Sequence, residues 1–247
     1  MMSMQELRRI AAASGNIVFF GGAGVSTESR IPDFRSAGGL YESGSGSGHS
    51  YPPETILSRS FFMEHPELFY EFYKSKMIYP DARPNAAHTA LAHMEREGRL
   101  RAVVTQNIDG LHQAAGSRCV LELHGSVHRN HCMNCGKFFD LPHIVSCKDA
   151  VPACDVCGEI VKPDVVLYEE TLDMNVLERA AEAIASAEML IVGGTSLTVH
   201  PAAGLIRYYT GNKLLLINQS PTPYDGRADY LIQDSVGKVL SELSGLS

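Results

Sequence analysis

Four cysteines stand in two short pairs, Cys132-x-x-Cys135 and Cys154-x-x-Cys157, with 18 residues between the pairs. A glycine follows the second cysteine of each pair, Gly136 and Gly158, which lets each pair sit on a tight knuckle. This is the spacing of a zinc ribbon. Four thiolates close the tetrahedral shell of Zn²⁺ and leave no position for water or substrate, so the expected metal is structural. Cys119 and Cys147 lack a partner at knuckle spacing and are left out of the ligand set.

A second group of residues has the types needed for dinucleotide chemistry. Gly21-Gly22-Ala23-Gly24-Val25-Ser26-Thr27 follows the apolar run Ile17–Phe20. Glycines there let the backbone turn and approach a pyrophosphate. The match to G-x-G-x-x-G is incomplete, because Thr27 replaces the third glycine, and no acidic residue closes a second strand about 20 residues on. Further polar clusters follow other apolar runs: Thr105-Gln106-Asn107-Ile108-Asp109-Gly110, His124-Gly125, Gly193-Gly194-Thr195-Ser196 and Asn218-Gln219-Ser220. His124 alone among the ten histidines sits directly between such a run and a glycine. A histidine titrates near neutral pH and so serves as a general base.

These groups need elements to bring them together. Apolar runs at Ile17–Phe20, Ala102–Thr105, Val120–Leu123, Met189–Val192, Leu214–Ile217 and Tyr230–Ile232 read as strands buried on both faces. Helical periodicity lies near the N-terminus (Leu7, Ile10, Ala11, with Gly15 ending it), from Pro84 to Gly98, from Val176 to Ala187, and over Val236, Val239, Leu240 and Leu243. The alternation predicts an α/β fold, a Rossmann-like doubly wound parallel sheet. In such a sheet the carboxyl ends of the strands form the ligand crevice, which would collect the polar clusters. Residues 36–83 and 128–159 interrupt the alternation and read as a smaller unit, a zinc ribbon plus a helical insert. Residues 1–35, 84–127 and 160–247 would form the dinucleotide-binding unit. Gly44 to Gly48 alternates glycine and serine.

The chain has 247 residues, 45% hydrophobic and 20% charged, with a formal net charge of -7. That balance is ordinary for a globular protein and disfavours non-specific nucleic-acid binding. No stretch approaches the ~20 apolar residues of a membrane span, and the apolar run after Arg9 is too short for a signal-peptide core. A cytoplasmic location is expected, and in a reducing compartment paired cysteines point to metal.

Taken in order, Gly22-Ala23-Gly24-Val25-Ser26, Ile31-Pro32-Asp33-Phe34-Arg35, Thr105-Gln106-Asn107-Ile108-Asp109-Gly110-Leu111-His112, Leu123-His124-Gly125, the four cysteines, Gly194-Thr195-Ser196 and Pro201-Ala202-Ala203 resemble a sirtuin, over about Gly21 to Asn218. The resemblance implies an NAD-dependent protein-lysine deacetylase. Gly22, Ala23, Gly24, Thr27, Asp33, Phe34 and Arg35 would line the cofactor loop. Gln106, Asn107, Ile108 and Asp109 would surround the nicotinamide and its ribose, with Ile108 and Asp109 holding the carboxamide. Gly194, Thr195, Ser196 and Asn218 would bind the adenosine half. His124, Asn107 and Asp109 would be catalytic, and Phe34, His124, Val161, Val165, Val166 and Tyr168 would meet an acetyl-lysine peptide. The implied chemistry consumes NAD. The acetyl oxygen attacks C1′ as nicotinamide leaves, and His124 acts as base on the ribose hydroxyls. Lysine and acetyl-ADP-ribose are the products.

The chain departs from the family pattern in three places. Arg30 stands where many sirtuins have glycine, at a cost of about 1 kcal/mol if φ is positive there. Tyr168-Glu169-Glu170 replaces Phe-Gly-Glu, and Glu169 is expected to favour basic peptides. Tyr73 and Lys76 match the Tyr-x-x-Arg pair of sirtuins that remove succinyl groups, but lysine lacks the bidentate fork. Acetyl is therefore expected over succinyl. Other readings on the same scaffold are an ADP-ribosyltransferase or longer-chain deacylase, an NAD-dependent dehydrogenase, and a non-catalytic NAD- or zinc-binding module.

Overall fold

The computed structural model describes residues 3–33, 39 and 51–246. Phe34, Arg35 and the Gly44–Gly48 tract lie outside them. The strands are β1 (Ile17–Gly21), β2 (Leu100–Thr105), β3 (Val120–Glu122), β4 (Gly125–Cys132), β5 (Phe138–Phe139), β6 (Val161–Val165), β7 (Met189–Gly193), β8 (Leu214–Ile217) and β9 (Tyr230–Ile232). The α-helices are α1 (Met4–Ala12), α2 (Pro53–Ile56), α3 (Arg59–Glu64), α4 (Pro66–Lys76), α5 (Ala86–Arg96), α6 (Leu111–Ala114), α7 (Leu141–Ser146), α8 (Met174–Ser186) and α9 (Val236–Ser244).

Six strands form one parallel sheet in the order β3-β2-β1-β7-β8-β9. The order reverses between β1 and β7, which places the crevice beside the Gly21–Thr27 loop. Every residue of β1 and β7 is buried, as expected of strands covered on both faces. Alternate side chains feed two cores. Val18, Phe20, Val104, Leu190, Val192 and Leu216 pack with Ala180 and Ile184 of α8 and with the turn of 3₁₀ helix Ala202–Tyr208. Ile17, Phe19, Val103, Ile191, Leu215 and Ile217 pack with α1, α5 and α9 on the other side. Helix caps match local chemistry: Ser3, Asn85, Asp173 and Ser235 each accept a backbone N–H at a helix start. The first helix ends earlier than the pattern predicts, at Ala12, with Ala13 rather than Gly15 as its cap.

A second, antiparallel sheet has the order β5-β4-β6. A third core joins residues from 56–78 to residues from 127–167: Phe62, Phe69, Tyr70, Phe72 and Tyr73 pack with Phe139, Ile144, Val161, Cys132 and Cys154. The two interrupting stretches of sequence thus share one apolar cluster, because neither carries enough apolar surface to bury alone.

Candidate active site

Between the two sheets lies a cavity of about 930 Å³, within the size range of ligand pockets. The described residues expected at a cofactor site all line it: Gly22, Ala23, Gly24, Thr27 and Asp33 from the first loop, Gln106–Asp109 after β2, His124 after β3, Gly194–Ser196 after β7, and Asn218 after β8. The reason is topological. Each stretch begins where a parallel strand ends, and all the parallel strands end on one edge of the sheet.

The first loop is held backbone to backbone. Gly24 N donates to the Gly194 carbonyl at 2.8 Å. A Cβ on Gly24 would stand 2.8 Å from Gly194 Cα, and Gly194 itself has φ of +60°. The loop continues as two turns of 3₁₀ helix, Ala23–Val25 and Thr27–Ser29, rather than a long helix. It ends at Arg30, whose φ is 66°. The left-handed conformation that glycine would adopt freely is therefore present, at about 1 kcal/mol for arginine.

Ser26 organises the polar floor. Its Oγ donates to Asp109 Oδ2 at 2.6 Å and accepts from Asn107 Nδ2 at 3.0 Å. Asp109 Oδ1 takes the Leu111 N–H at 2.9 Å. Asn107 and Asp109 are thereby locked in place. The site expectation omitted Ser26, although its place in the glycine-rich motif was the available signal. It also omitted Asp234, Ser235 and Val236, which line the cavity just after β9 by the same strand-end rule.

His124 is half-buried, and its Nδ1 lies 3.0 Å from the Gln106 carbonyl. A carbonyl only accepts, so Nδ1 carries the proton and the neutral ring keeps its lone pair on Nε2. Burial pushes its pKa below the ordinary histidine value, and the Gln106 carbonyl opposes that shift. The ring is therefore neutral at pH 7. Gln106 is itself held by its N–H to Gly21 O and its amide to Thr195 Oγ1.

On the other wall, Val165, Val166 and Tyr168 line the cavity, and Val166 N donates to the His124 carbonyl at 3.0 Å. Gly125, with φ of +74°, lets β4 and β6 cross here; a Cβ on it would lie 1.6 Å from Asp164 O. Val161 does not reach the cavity. It is fully buried in the third core, opposite Cys132, with its carbonyl taken by the Tyr70 hydroxyl. Four residues of extended chain, roughly 13 Å, separate it from Val165. Glu169 also lines the cavity. Its φ is 74°, and its carboxylate accepts from Ser60 N and Ser60 Oγ, both at 2.9 Å, at the start of α3. Its carboxylate is thus oriented by the helical insert while it remains at the cavity wall. Tyr73 is fully buried, its hydroxyl without a hydrogen-bond partner among the described residues, whereas Lys76 lines the cavity.

Residues 22–201 match the model of the Sir2 family. The chain belongs to the Sir2 family. It is 62% identical over 237 residues to an NAD-dependent protein deacetylase of Clostridium acetobutylicum, covering 96% of each chain. An NAD-dependent protein deacetylase of Cutibacterium acnes is 52% identical over 242 residues, 97% of each. Among solved structures, a Sir2 homolog–NAD complex aligns with a TM-score of 0.86 at 37% identity, covering 100% of this chain and 94% of that one. A Sir2–p53 peptide–NAD+ complex aligns at 0.84 with 38% identity, covering 100% of both.

This Sir2-family chain also has the donor set of a zinc site. The four Sγ atoms of Cys132, Cys135, Cys154 and Cys157 lie within 4.8 Å of one another. Cys132 and Cys157 approach to 3.3 Å, and Cys135 and Cys154 to 3.6 Å. A tetrahedral Zn²⁺ with ~2.3 Å bonds needs sulfurs about 3.8 Å apart. Both knuckles turn through glycine: Gly136 N bonds Cys132 O and Gly158 N bonds Cys154 O, with φ of +71° and +77°. The four cysteines are positioned to bind a structural zinc. Cys147 stays outside the cluster, with its thiol toward Asp149 O.

Behind the cavity, His88 and His112 pack with ring centroids 4.7 Å apart. Both are fully buried, and among the described residues His112 has no hydrogen-bond partner on either ring nitrogen. Burial lowers His88 to about 4 against the pull of Asp109, and lowers His112 to about 3 with added repulsion from His88. In the unfolded chain both would titrate near 6.5. The unfolded state then binds more protons below that value, so their contribution is fully present above about pH 6.5 and is lost as pH falls toward 4 and 3. Thermal melts should show a falling midpoint over that window, and His112→Gln should flatten the slope. Equal slopes in the two proteins would refute this origin.

Proposed function

We infer that the chain is an NAD-dependent protein-lysine deacetylase, yielding nicotinamide, free lysine and O-acetyl-ADP-ribose. The observation that carries the reading is the convergence, in one cavity, of a backbone cradle at Gly22–Gly24 and Gly194, an ordered Ser26–Asn107–Asp109 floor, and a neutral imidazole at His124. When bound, NAD supplies the electrophilic ribose carbon that takes the acyl oxygen as nicotinamide leaves.

The chain's own groups have separable tasks in this reading. Ala23, Thr27 and Asp33, with Phe34 and Arg35, hold the phosphates and the near ribose. Gln106, Asn107, Ile108 and Asp109 enclose the nicotinamide half. Thr195, Ser196 and Asn218 hold the adenosine half. His124 Nε2 removes a proton from a ribose hydroxyl, and its Nδ1–H stays on the Gln106 carbonyl throughout. Val165, Val166 and Tyr168 bracket an acetyl-lysine peptide. The segments 36–83 and 128–159 serve as a small unit whose shared core positions that bracket, and the protein works in the cytoplasm.

Incubation with an acetyl-lysine peptide and NAD, followed by mass spectrometry, should show deacetylated peptide and acetyl-ADP-ribose in equal amounts. Formation of NADH, or transfer of ADP-ribose to the peptide, would overturn the reading. With matched peptides, acetyl should leave faster than succinyl, because Lys76 offers a point charge instead of a bidentate fork and Tyr73 is turned into the core. Faster succinyl removal would contradict this.

A further inference from the structure

A smaller pocket, of about 480 Å³, adjoins the main cavity at His200. It is lined by Leu197, Thr198, His200, Arg207, Pro223, Tyr224 and Arg227. Two of these seven are arginines, one is a histidine, and none is acidic. The whole chain carries a formal charge of -7, so the pocket is a local reversal of sign.

The positive groups are assembled on one ring. Tyr224 is buried, and its hydroxyl accepts from Arg207 Nε at 3.3 Å. The Arg227 guanidinium sits 6.0 Å from the centroid of the same ring. Among the described residues neither arginine has a carboxylate partner, unlike Arg59, Arg99 and Arg129. The acids nearest in the chain are committed elsewhere. Asp225 Oδ1 accepts from the Thr222 N–H and hydroxyl, and Asp229 Oδ2 accepts from Leu214 N. Both arginines are exposed and both lie against the Tyr224 side chain, which leaves two positive charges open to an anion at one pocket. Arg207 keeps its terminal N–H groups for such an anion, because only Nε is engaged by the tyrosine.

The pocket also communicates with the main cavity. His200 lines both. Thr198 Oγ1 lies 2.8 Å from Ser196 Oγ, and Ser196 lines the main cavity. Leu197, at φ of 54°, turns its side chain inward and leaves Thr198 and His200 on the surface.

We propose that the Arg207–Tyr224–Arg227 pocket is a binding subsite for a phosphate group, adjoining the adenosine end of the dinucleotide cleft. The phosphate is either a free inorganic anion or a phosphate carried on the ribose of an adenosine ligand in the cleft. The location relative to adenosine rests on the NAD reading above, whereas the charge argument does not.

The test has two arms, each run on wild type and on the Arg207→Gln/Arg227→Gln double variant. In the first, inorganic pyrophosphate is titrated into protein saturated with ADP-ribose, which blocks the main cleft, and binding is read by calorimetry and by the NMR shift of His200. In the second, the affinities of ADP-ribose and of its adenosine 2′-phosphate ester are compared. Saturable binding in the first arm identifies a free anion, and preference for the ester in the second identifies a ligand-borne phosphate. Either signal should weaken about tenfold in the double variant, while ADP-ribose affinity and melting temperature stay unchanged. No saturable signal in either arm, or equal signals in the two proteins, would overturn the proposal. Should ADP-ribose itself fail to bind, the dinucleotide reading falls separately, and pyrophosphate titrated into the free proteins still decides the pocket by its dependence on the two arginines.

Discussion

Replacing His124 with alanine is expected to slow turnover of an acetyl-lysine peptide by about 10²–10⁴-fold, the usual contribution of a positioned general base. Zinc content and ADP-ribose binding should be unchanged. The prediction follows from one hydrogen bond. The Gln106 carbonyl fixes the Nδ1 proton, so the basic nitrogen is Nε2 in every neutral molecule. Among the cavity histidines, His124 is the one set directly after a parallel strand of the main sheet, beside Gln106–Asp109. His88 and His112 are sealed in the core, and His128 donates its Nε2–H to the Asp109 carbonyl at 3.1 Å, which puts its lone pair on Nδ1. The pH profile should agree. Burial holds His124 below its ordinary pKa, so the base form persists through neutrality. kcat/KM should then stay level near pH 7 and fall only on acidification below the usual histidine range. A variant retaining near wild-type turnover, or a profile rising toward acid, would remove His124 from this role.

The second large effect concerns the cysteines. Cys154→Ser should lower bound zinc well below one per chain and open the segment 128–159 to protease. A closed four-thiolate site contributes on the order of 10 kcal/mol in small zinc modules. Here the effect should spread. Cys132 and Cys154 are themselves members of the core that holds Phe62, Tyr70, Phe139, Ile144 and Val165, and Val165 lines the active cavity. Loss of the metal would loosen one wall of the cavity, and activity should fall although no cysteine lines it. Cys147→Ser is the control and should keep its zinc, since that thiol stands apart from the cluster. Full zinc occupancy in Cys154→Ser, or zinc loss in Cys147→Ser, would show that the ligand set is wrong.

Some features were legible in the chain itself because they depend on short-range order. The Cys-x-x-Cys knuckles are local turns, and each closes on its own glycine. Strand positions were readable because a strand covered on both faces must be a continuous apolar run, as Val18 to Phe20 and Leu190 to Val192 are. Once the strands are parallel, their trailing polar residues must share one edge, so the grouping of Gln106, Asn107, Asp109, His124, Thr195 and Asn218 followed from chain order. Helix ends were less legible, since Ala13 caps α1 without a glycine when the following residues return directly to β1.

Other features were decided only by packing. Val161 and Val165 are alike in type and share one strand. One meets Cys132 and the Tyr70 hydroxyl while the other meets the cavity, because the strand runs from the metal to the cleft. Glu169 reads as a surface charge, and Ser60, 109 residues away, sets the direction of its carboxylate. Ser26 holds Asn107 and Asp109 across more than 80 positions of sequence. Arg207, in the 3₁₀ helix Ala202–Tyr208, and Arg227 reach one side chain only when Tyr224 is buried against that helix. Residue type and spacing therefore determined which groups exist and which edge of the sheet they leave from. The partner each side chain takes is a contest among neighbours brought close by folding, and distance along the chain carries no information about it.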